Sequence, residues 1–438
     1  MNLADADSRA ARAAGAVLRD APDVLLIERL VTIVLLWLVG VSFALVAVMA
    51  TERAGDPGYD FRYFWLAGRL WAEGISPYGP VFAEAGARLI PAGHVPEIWP
   101  YPPNLWLPAV AISPLSLTTA WAVWLVAEVV ALAVASAVLA WGLPVWLIPG
   151  GQRRPAFVRL AFFCGHLALV ATLEATHLAV YVGQSALFIH LGATMLLAGI
   201  ARGRSGLATA GLVCVCMKPQ VGAVVALALL VSGRAGAHIV LRAALVSLLL
   251  VLPPMAIRPT VVLDWLQTLG AYDGATLANM AVAMTGLRHL LWMATGWDIG
   301  NLSAMAATMA AALAVALWLR DAAARDAAGR VRLLVAEFLV VLAFAPLHMY
   351  DFVLFGIGLL ALFGARGPRL AAAVVGAAAF VKPTDVHVLL SGQHPTSFFP
   401  GSTLATVGAL ILLAVALAPT RDRRGIGENL LALDQARR

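Results

Sequence analysis

The chain is short of charge, of lysine and of cysteine, and each shortage excludes something. Asp, Glu, Lys and Arg make up only 12% of the 438 residues while hydrophobic types reach 61%, which excludes a soluble globular domain and leaves a polytopic membrane protein. Of the 30 basic residues only Lys218 and Lys382 are lysine, and both precede a proline within or beside an apolar run. The arginines fall in short clusters between apolar runs, so the net charge of +6 marks topology and not a nucleic-acid-binding face. Cys164, Cys214 and Cys216 lie in apolar segments and read as small packing residues, not as a disulfide or a metal pair. His94, His177, His387 and His394 share no metal-ligand spacing, and no outer loop carries a D-x-D pair. Asp5-Ala6-Asp7 has that spacing but lies on the N-terminal tail, so neither a metal nor another cofactor is required. The first thirty residues lack the layout of a cleaved signal, and no repeat relates the two halves of the chain.

What is present is a succession of apolar runs. Measured against about 20 apolar residues per crossing, they predict an all-α bundle of about ten to twelve transmembrane helices. Residues 1–30 read as a cytosolic tail, 31–420 as one integral-membrane domain and 421–438 as a second cytosolic tail. The first span runs from Val31 to Ala50 and the second from Leu117 to Trp141. Basic connections at Arg153, Arg154 and Arg159, at Arg202 and Arg204, and at 320–332 and 365–369 place those turns in the cytosol by the positive-inside rule. The loops 51–117 and 258–300 are then extracytoplasmic, the latter carrying Asp264, Trp265, Asp273 and Asn279 and open to amphipathic helices of its own. Residues 205–232 have basic connections on both sides and Lys218-Pro219-Gln220 at their middle, which predicts two helices folded back at Lys218. Later spans are expected at 302–319, 333–348, 352–363, 370–381 and 404–418.

The stretch Tyr59 to Tyr78 is different, because it is both aromatic and charged. Phe61, Phe64, Trp65, Gly68, Trp71 and Ala72 recur at helical spacing with Arg62, Arg69 and Glu73 on the other side, which predicts a helix lying flat in the membrane interface. Gly74 and Pro77 end it. Asp60 at its start is either an N-cap or a catalytic base. Lys218 is the costliest intramembrane group; the proline after it pushes it out of helical geometry, which suits a broken helix lining a polar site or a lysine paired with a buried carboxylate. Tyr350-Asp351, Gly183-Gln184 and Asn104 after Tyr101-Pro102-Pro103 fall at outer ends of spans, where they bind a hydroxyl-rich ligand or cap helices. Trp65, Trp71, Trp99 and Trp106 either stack on a sugar or anchor the interface.

Taken in order, these pieces resemble glycosyltransferase family 87, polytopic enzymes of the GT-C architecture that use polyprenyl-phosphate sugars. The likeness rests on Asp60, Tyr63, Ala67, Gly74, Pro77 and Tyr78, on Tyr101-Pro102-Pro103, and on Gly183-Gln184, Ala210-Gly211, Lys218-Pro219 and Pro346 with Tyr350-Asp351. Ala345 departs from the serine often found before that proline. The resemblance implies a hexosyltransferase, a mannosyltransferase by family habit, at the outer face of a bacterial plasma (inner) membrane, with both termini cytosolic. Its donor would be a polyprenyl-phosphate-linked sugar and its acceptor a lipid or glycan, among membrane lipids and without nucleic acid. Asp60 matches the family's catalytic aspartate, with Lys218 and Arg62 expected on the donor phosphate. Tyr63, Tyr78, Tyr101, Asn104, Gln184, Gln220, Tyr350 and Asp351 are expected around the substrates. A transporter or lipid-linked-sugar flippase, and a noncatalytic partner in envelope assembly, are the competing readings.

Overall fold

The computed structural model describes residues 32–34, 36–44, 47–48, 57–90, 97–143, 155–272, 280–362, 365, 367–391 and 401–418. The expected tails 1–30 and 421–438, and with them Asp5 and Asp7, lie outside the described residues, as do His94, Asp273, Asn279 and His394. Among the described residues every regular element is helical. After a helical stretch within 32–48 come α1 (Phe61–Ala72), α2 (Val81–Leu89), α3 (Trp106–Ile112), α4 (Leu117–Gly142), α5 (Pro155–Thr172), α6 (Glu174–Val182), α7 (Ala186–Arg202), α8 (Ser205–Val215) and α9 (Pro219–Val231). They are followed by α10 (Arg234–Ile257), α11 (Val261–Tyr272), α12 (Gly286–Thr295), α13 (Gly300–Arg325), α14 (Ala327–Phe344), α15 (Pro368–Val381), α16 (Pro383–Ser391) and α17 (Ser402–Leu417).

Among the described residues, helices α4, α10 and α13 are long and apolar enough to cross a membrane alone, and the bent pairs α5–α6 (64°) and α15–α16 (93°) bring the number to 5 if each is one span. Helices α7, α8, α9 and α17 are apolar but have only 17, 11, 13 and 16 residues. At the helical rise they cover roughly 16 to 26 Å, less than a hydrocarbon core of about 30 Å. Among the described residues, full-length helices alone therefore do not reach ten to twelve crossings.

Three local expectations are corrected. The span expected at 352–363 is a 3₁₀ helix over Met349–Leu354, one α-turn over Phe355–Gly358 and a further 3₁₀ turn over Leu359–Leu362. The apolar run that follows Arg242 reads in the sequence as a span to about Leu252, ahead of Pro253-Pro254, but helix α10 continues through both prolines to Ile257. Proline has no N–H to give the carbonyl four residues back, and the Trp106 indole supplies the missing donor to the Leu250 carbonyl at 2.5 Å. Helix α1 is not half-exposed at an interface: every residue from Phe61 to Leu70 except Arg69 is buried, and Arg62 is only 5% exposed. The loop's own helices and α4 close over it, so Arg62 is covered along with the aromatic face, while Arg69 is half-buried and Glu73, just past the helix end, is exposed. Gly68 lets α3 lie directly on α1, since a Cβ there would stand 2.0 Å from the Ala109 carbonyl oxygen.

The bundle has two chemically distinct ends. At the C-terminus of α4, Arg159 donates to the Ala140 and Trp141 carbonyls at 3.2 and 3.1 Å, and Arg202 donates to those of Trp141 and Gly142. These are the carbonyls a helix end leaves without partners. Toward the other end of α4, Trp121 and Trp124 receive the Phe61 ring of α1 at centroid distances of 5.2 and 5.6 Å.

Candidate active site

The chain enters α1 through Gly58, and Asp60 is fixed there by backbone before its side chain does anything. Its N–H donates to the Val182 carbonyl at 2.8 Å, at the end of α6. Two glycines allow that approach: a Cβ on Gly58 would be 2.6 Å from the Val182 carbonyl, and one on Gly183 would be 2.5 Å from the Trp121 ring and 2.6 Å from the Phe61 Cβ. Gly183 also ends α6 in the left-handed conformation, φ 74°, which costs a residue with a Cβ extra energy. The turn it makes aims the next side chain, Gln184, at Asp60.

Asp60 makes no side-chain cap bond to α1. Its Oδ2 instead accepts from Gln184 Nε2 at 2.7 Å, and the same nitrogen lies 2.7 Å from the Tyr101 hydroxyl and 3.1 Å from that of Tyr350. An amide nitrogen has two hydrogens, so the three oxygens share them around one buried Gln184. Asp60 is half-buried. Burial pushes its carboxyl up to about 6, with Gln184 and Lys218 pulling down and Asp351 pushing up. A carboxylate near neutrality is suited to receive and release protons.

Lys218 reaches this group from the opposite direction. Helices α7 and α8 form an antiparallel pair whose glycines set the register: Gly192 meets Cys214, Gly211 meets Leu196, and Gly199 meets Ala208, each with a hypothetical Cβ 2.4–2.5 Å from its neighbour. That register brings the end of α8, and with it Lys218, toward the start of α7, where Gln184 stands. Lys218 itself is extended, φ −110° and ψ 100°, as a residue before proline should be, and Pro219 opens α9. The chain therefore breaks at Lys218 as the sequence predicts. Its buried ammonium pairs with the Asp351 carboxylate and lies 4.6 Å from the centre of the Tyr350 ring. Asp351 in turn accepts the His348 backbone N–H at 3.3 Å. Asp60, Tyr101, Gln184, Lys218, Tyr350 and Asp351, spread over 292 positions of sequence, thus form one connected polar cluster.

The other expected residues stand around it. Tyr78 donates its hydroxyl to the Tyr101 carbonyl at 2.6 Å and Tyr63 packs its ring against Phe82, so both brace the cluster. Buried Arg62 donates to the Pro57 carbonyl at 3.1 Å, which ties it to the strand of chain entering α1. Asn104 has a buried side-chain oxygen without a hydrogen-bond partner, and half-buried Gln220 follows Pro219 at the start of α9. Trp65, Trp71 and Trp99 are each less than 8% exposed, so they pack and do not offer a face to a sugar. Two contributors were not foreseen. His348 holds Asp351 through its backbone and sets its ring 5.2 Å from Tyr350, and Trp121 with Trp124 carries the aromatic platform under α1. The position of His348 two residues before Tyr350 was the available signal for the first; nothing local marked the second.

An all-helical bundle with apolar spans, and with acid, amide and ammonium gathered at the end of its helices remote from the arginine clusters, defines a membrane protein built around a polar site. Residues 99–346 match the model of glycosyltransferase family 87, more than half of the chain, and the chain belongs to that family. It is therefore a glycosyltransferase, and the transporter and noncatalytic readings give way to an enzyme. The matched segment contains Tyr101, Gln184 and Lys218; Asp60, Tyr350 and Asp351 lie outside it and enter the site through the contacts above. Comparison with individual curated proteins finds no match.

Proposed function

We propose that this glycosyltransferase moves a hexose, mannose in our reading, from a polyprenyl-phosphate carrier to a lipid or glycan acceptor at the extracytoplasmic face of a bacterial plasma membrane. The shorter apolar helices complete its ten to twelve membrane segments. One observation carries the reading: the Asp60 carboxylate is joined through Gln184 and Tyr350 to the buried Lys218–Asp351 pair. The acceptor hydroxyl oxygen attacks the anomeric carbon as the bond from that carbon to the phosphate oxygen breaks. Asp60 takes the hydroxyl proton, and the carrier phosphate leaves with its charge against Lys218. An ammonium has three N–H donors, so Asp351 can keep one while the phosphate engages the others. Tyr101 and Tyr350 hold Gln184, and Asn104 has an acceptor oxygen to offer a sugar hydroxyl. With Asp351 held in the Lys218 pair and the acceptor oxygen displacing the phosphate directly, this single displacement inverts the anomeric centre.

The test is transfer from radiolabelled polyprenyl-phosphate hexoses by purified protein in lipid. Asp60→Asn removes the base with little change of shape and is expected to lower turnover by about 10²- to 10⁴-fold. Helical content and thermal unfolding should match the parent. Retained turnover removes Asp60 from the mechanism.

A further inference from the structure

The second lysine of the chain stands at a second break of the same kind. Lys382 leaves helical geometry, φ −145° and ψ 64°, between α15 and α16, which turn through 93°. Helices α5 and α6 turn through 64° nearby, and the two bends touch. Glu174, the first residue of α6, accepts the Thr384 backbone N–H at 3.0 Å and the Thr384 hydroxyl on its other oxygen. His177, one turn along α6, has Nε2 2.9 Å from the Ala171 carbonyl, which places a hydrogen on that nitrogen, and lies within electrostatic range of Lys382. Phe380, two residues before Lys382, stacks on Phe355 at 4.0 Å and lies 5.3 Å from Phe352, the neighbour of Asp351. Both breaks therefore lie beside the 349–354 helix, Lys218 through Asp351 and the Lys382 bend through Phe380.

They differ in their partners. Lys218 has Asp351, whereas among the described residues no carboxylate pairs with half-buried Lys382, and Glu174 has both oxygens engaged by Thr384. Helices α5 and α15 have 18 and 14 residues. They raise the two bends roughly 21 to 27 Å from the helices' own N-terminal ends, at the far side of a core about 30 Å thick. Helix α16, turned across that level, leaves Leu389 82% and Val386 36% exposed, as a helix lying at a lipid surface does. His177 is five residues from Val182, about 7.5 Å of helix rise, and Val182 holds the Asp60 N–H.

We propose that Lys382 is a second phosphate subsite that takes the head-group phosphate of an anionic lipid at the outer leaflet, at the bend where the start of α16 meets the start of α6. The phosphate is either the acceptor's own or that of a resident bilayer lipid. The inference rests on the outer-face placement under Proposed function and not on the role of Asp60.

The experiment is native mass spectrometry of the full chain in an uncharged maltoside detergent, titrated with short-chain phosphatidylglycerol, alongside the transfer assay. Losing one charge-assisted contact in Lys382→Gln is expected to weaken the tightest phosphatidylglycerol site by about tenfold or more, while Lys382→Arg keeps it. Asp60→Asn should bind like the parent, so a failed base assignment is seen separately. A matching rise in acceptor KM, with donor KM unchanged, identifies the phosphate as the acceptor's. Weakened lipid binding with both KM values unchanged identifies a resident lipid. Undiminished binding in Lys382→Gln overturns the subsite, and so does an equal loss in Lys382→Arg.

Discussion

Replacing Gln184 with methionine keeps the length of the side chain and removes the N–H that Asp60 accepts at 2.7 Å. That bond favours the carboxylate, so without it the Asp60 pKa rises above about 6. A hydrogen bond to a charged group contributes about 1.5–3 kcal/mol and 1.36 kcal/mol is one pH unit, so the rise is about one to two units. The sign follows from the role: a base works only when ionised, so kcat/KM in the parent falls as pH drops through about 6. In Gln184→Met the same fall should begin near pH 7 to 8, roughly one to two units higher. At pH 7 the variant then loses activity severalfold, and most of the loss returns by pH 9. The assay is kcat/KM for hexose transfer across pH 5 to 9 in lipid nanodiscs. A uniform loss at every pH, with the acid limb unmoved, would refute the reasoning, because Gln184 would then act on substrate or fold and not on the protonation of Asp60.

Two further outcomes are expected. Lys218→Met strands the Asp351 carboxylate in a buried site and should cost about 3–5 kcal/mol of stability; adding Asp351→Leu should restore the unfolding temperature without restoring transfer, and an active double variant would make the pair purely structural. Gly183→Ala places a methyl group 2.5 Å from Trp121 at a positive φ, so melting should fall by several degrees and transfer should fall further than stability explains, because Gln184 is re-aimed. Parent-like melting and turnover in Gly183→Ala would show that this turn does not position the site.

Much of the candidate site was legible residue by residue. Lys218 drew attention as a charge inside an apolar run, Gln184, Tyr350 and Asp351 as polar groups at outer ends of spans, and Asp60 as the acid at the start of the aromatic helix. The roles were less legible than the names. Asp60 had a sound local explanation as an N-cap, which fails because Gln184, 124 positions away, takes its carboxylate. Tyr63 and Tyr78 carry the same family pattern as Asp60 but face the packing around it. The helix expected at the interface is more enclosed than its pattern says: its periodic face is real, but periodicity says which residues share a side and not whether the other side is covered.

Sequence alone determined the solvent, the helical class and the breaks. Apolar content selects the membrane, and the proline after Lys218 and after Lys382 biases each lysine out of helical geometry by sterics that act between adjacent residues, a bias that α10 overrides at Pro253 and Pro254. Tertiary structure decided partnership. Lys218 meets Asp351 and not another acid because small residues fix the α7–α8 register and the bundle brings the 349–354 helix alongside. Adjacent-residue sterics are written in every tripeptide; the meeting of charges 133 positions apart depends on how whole helices pack, which no local window contains.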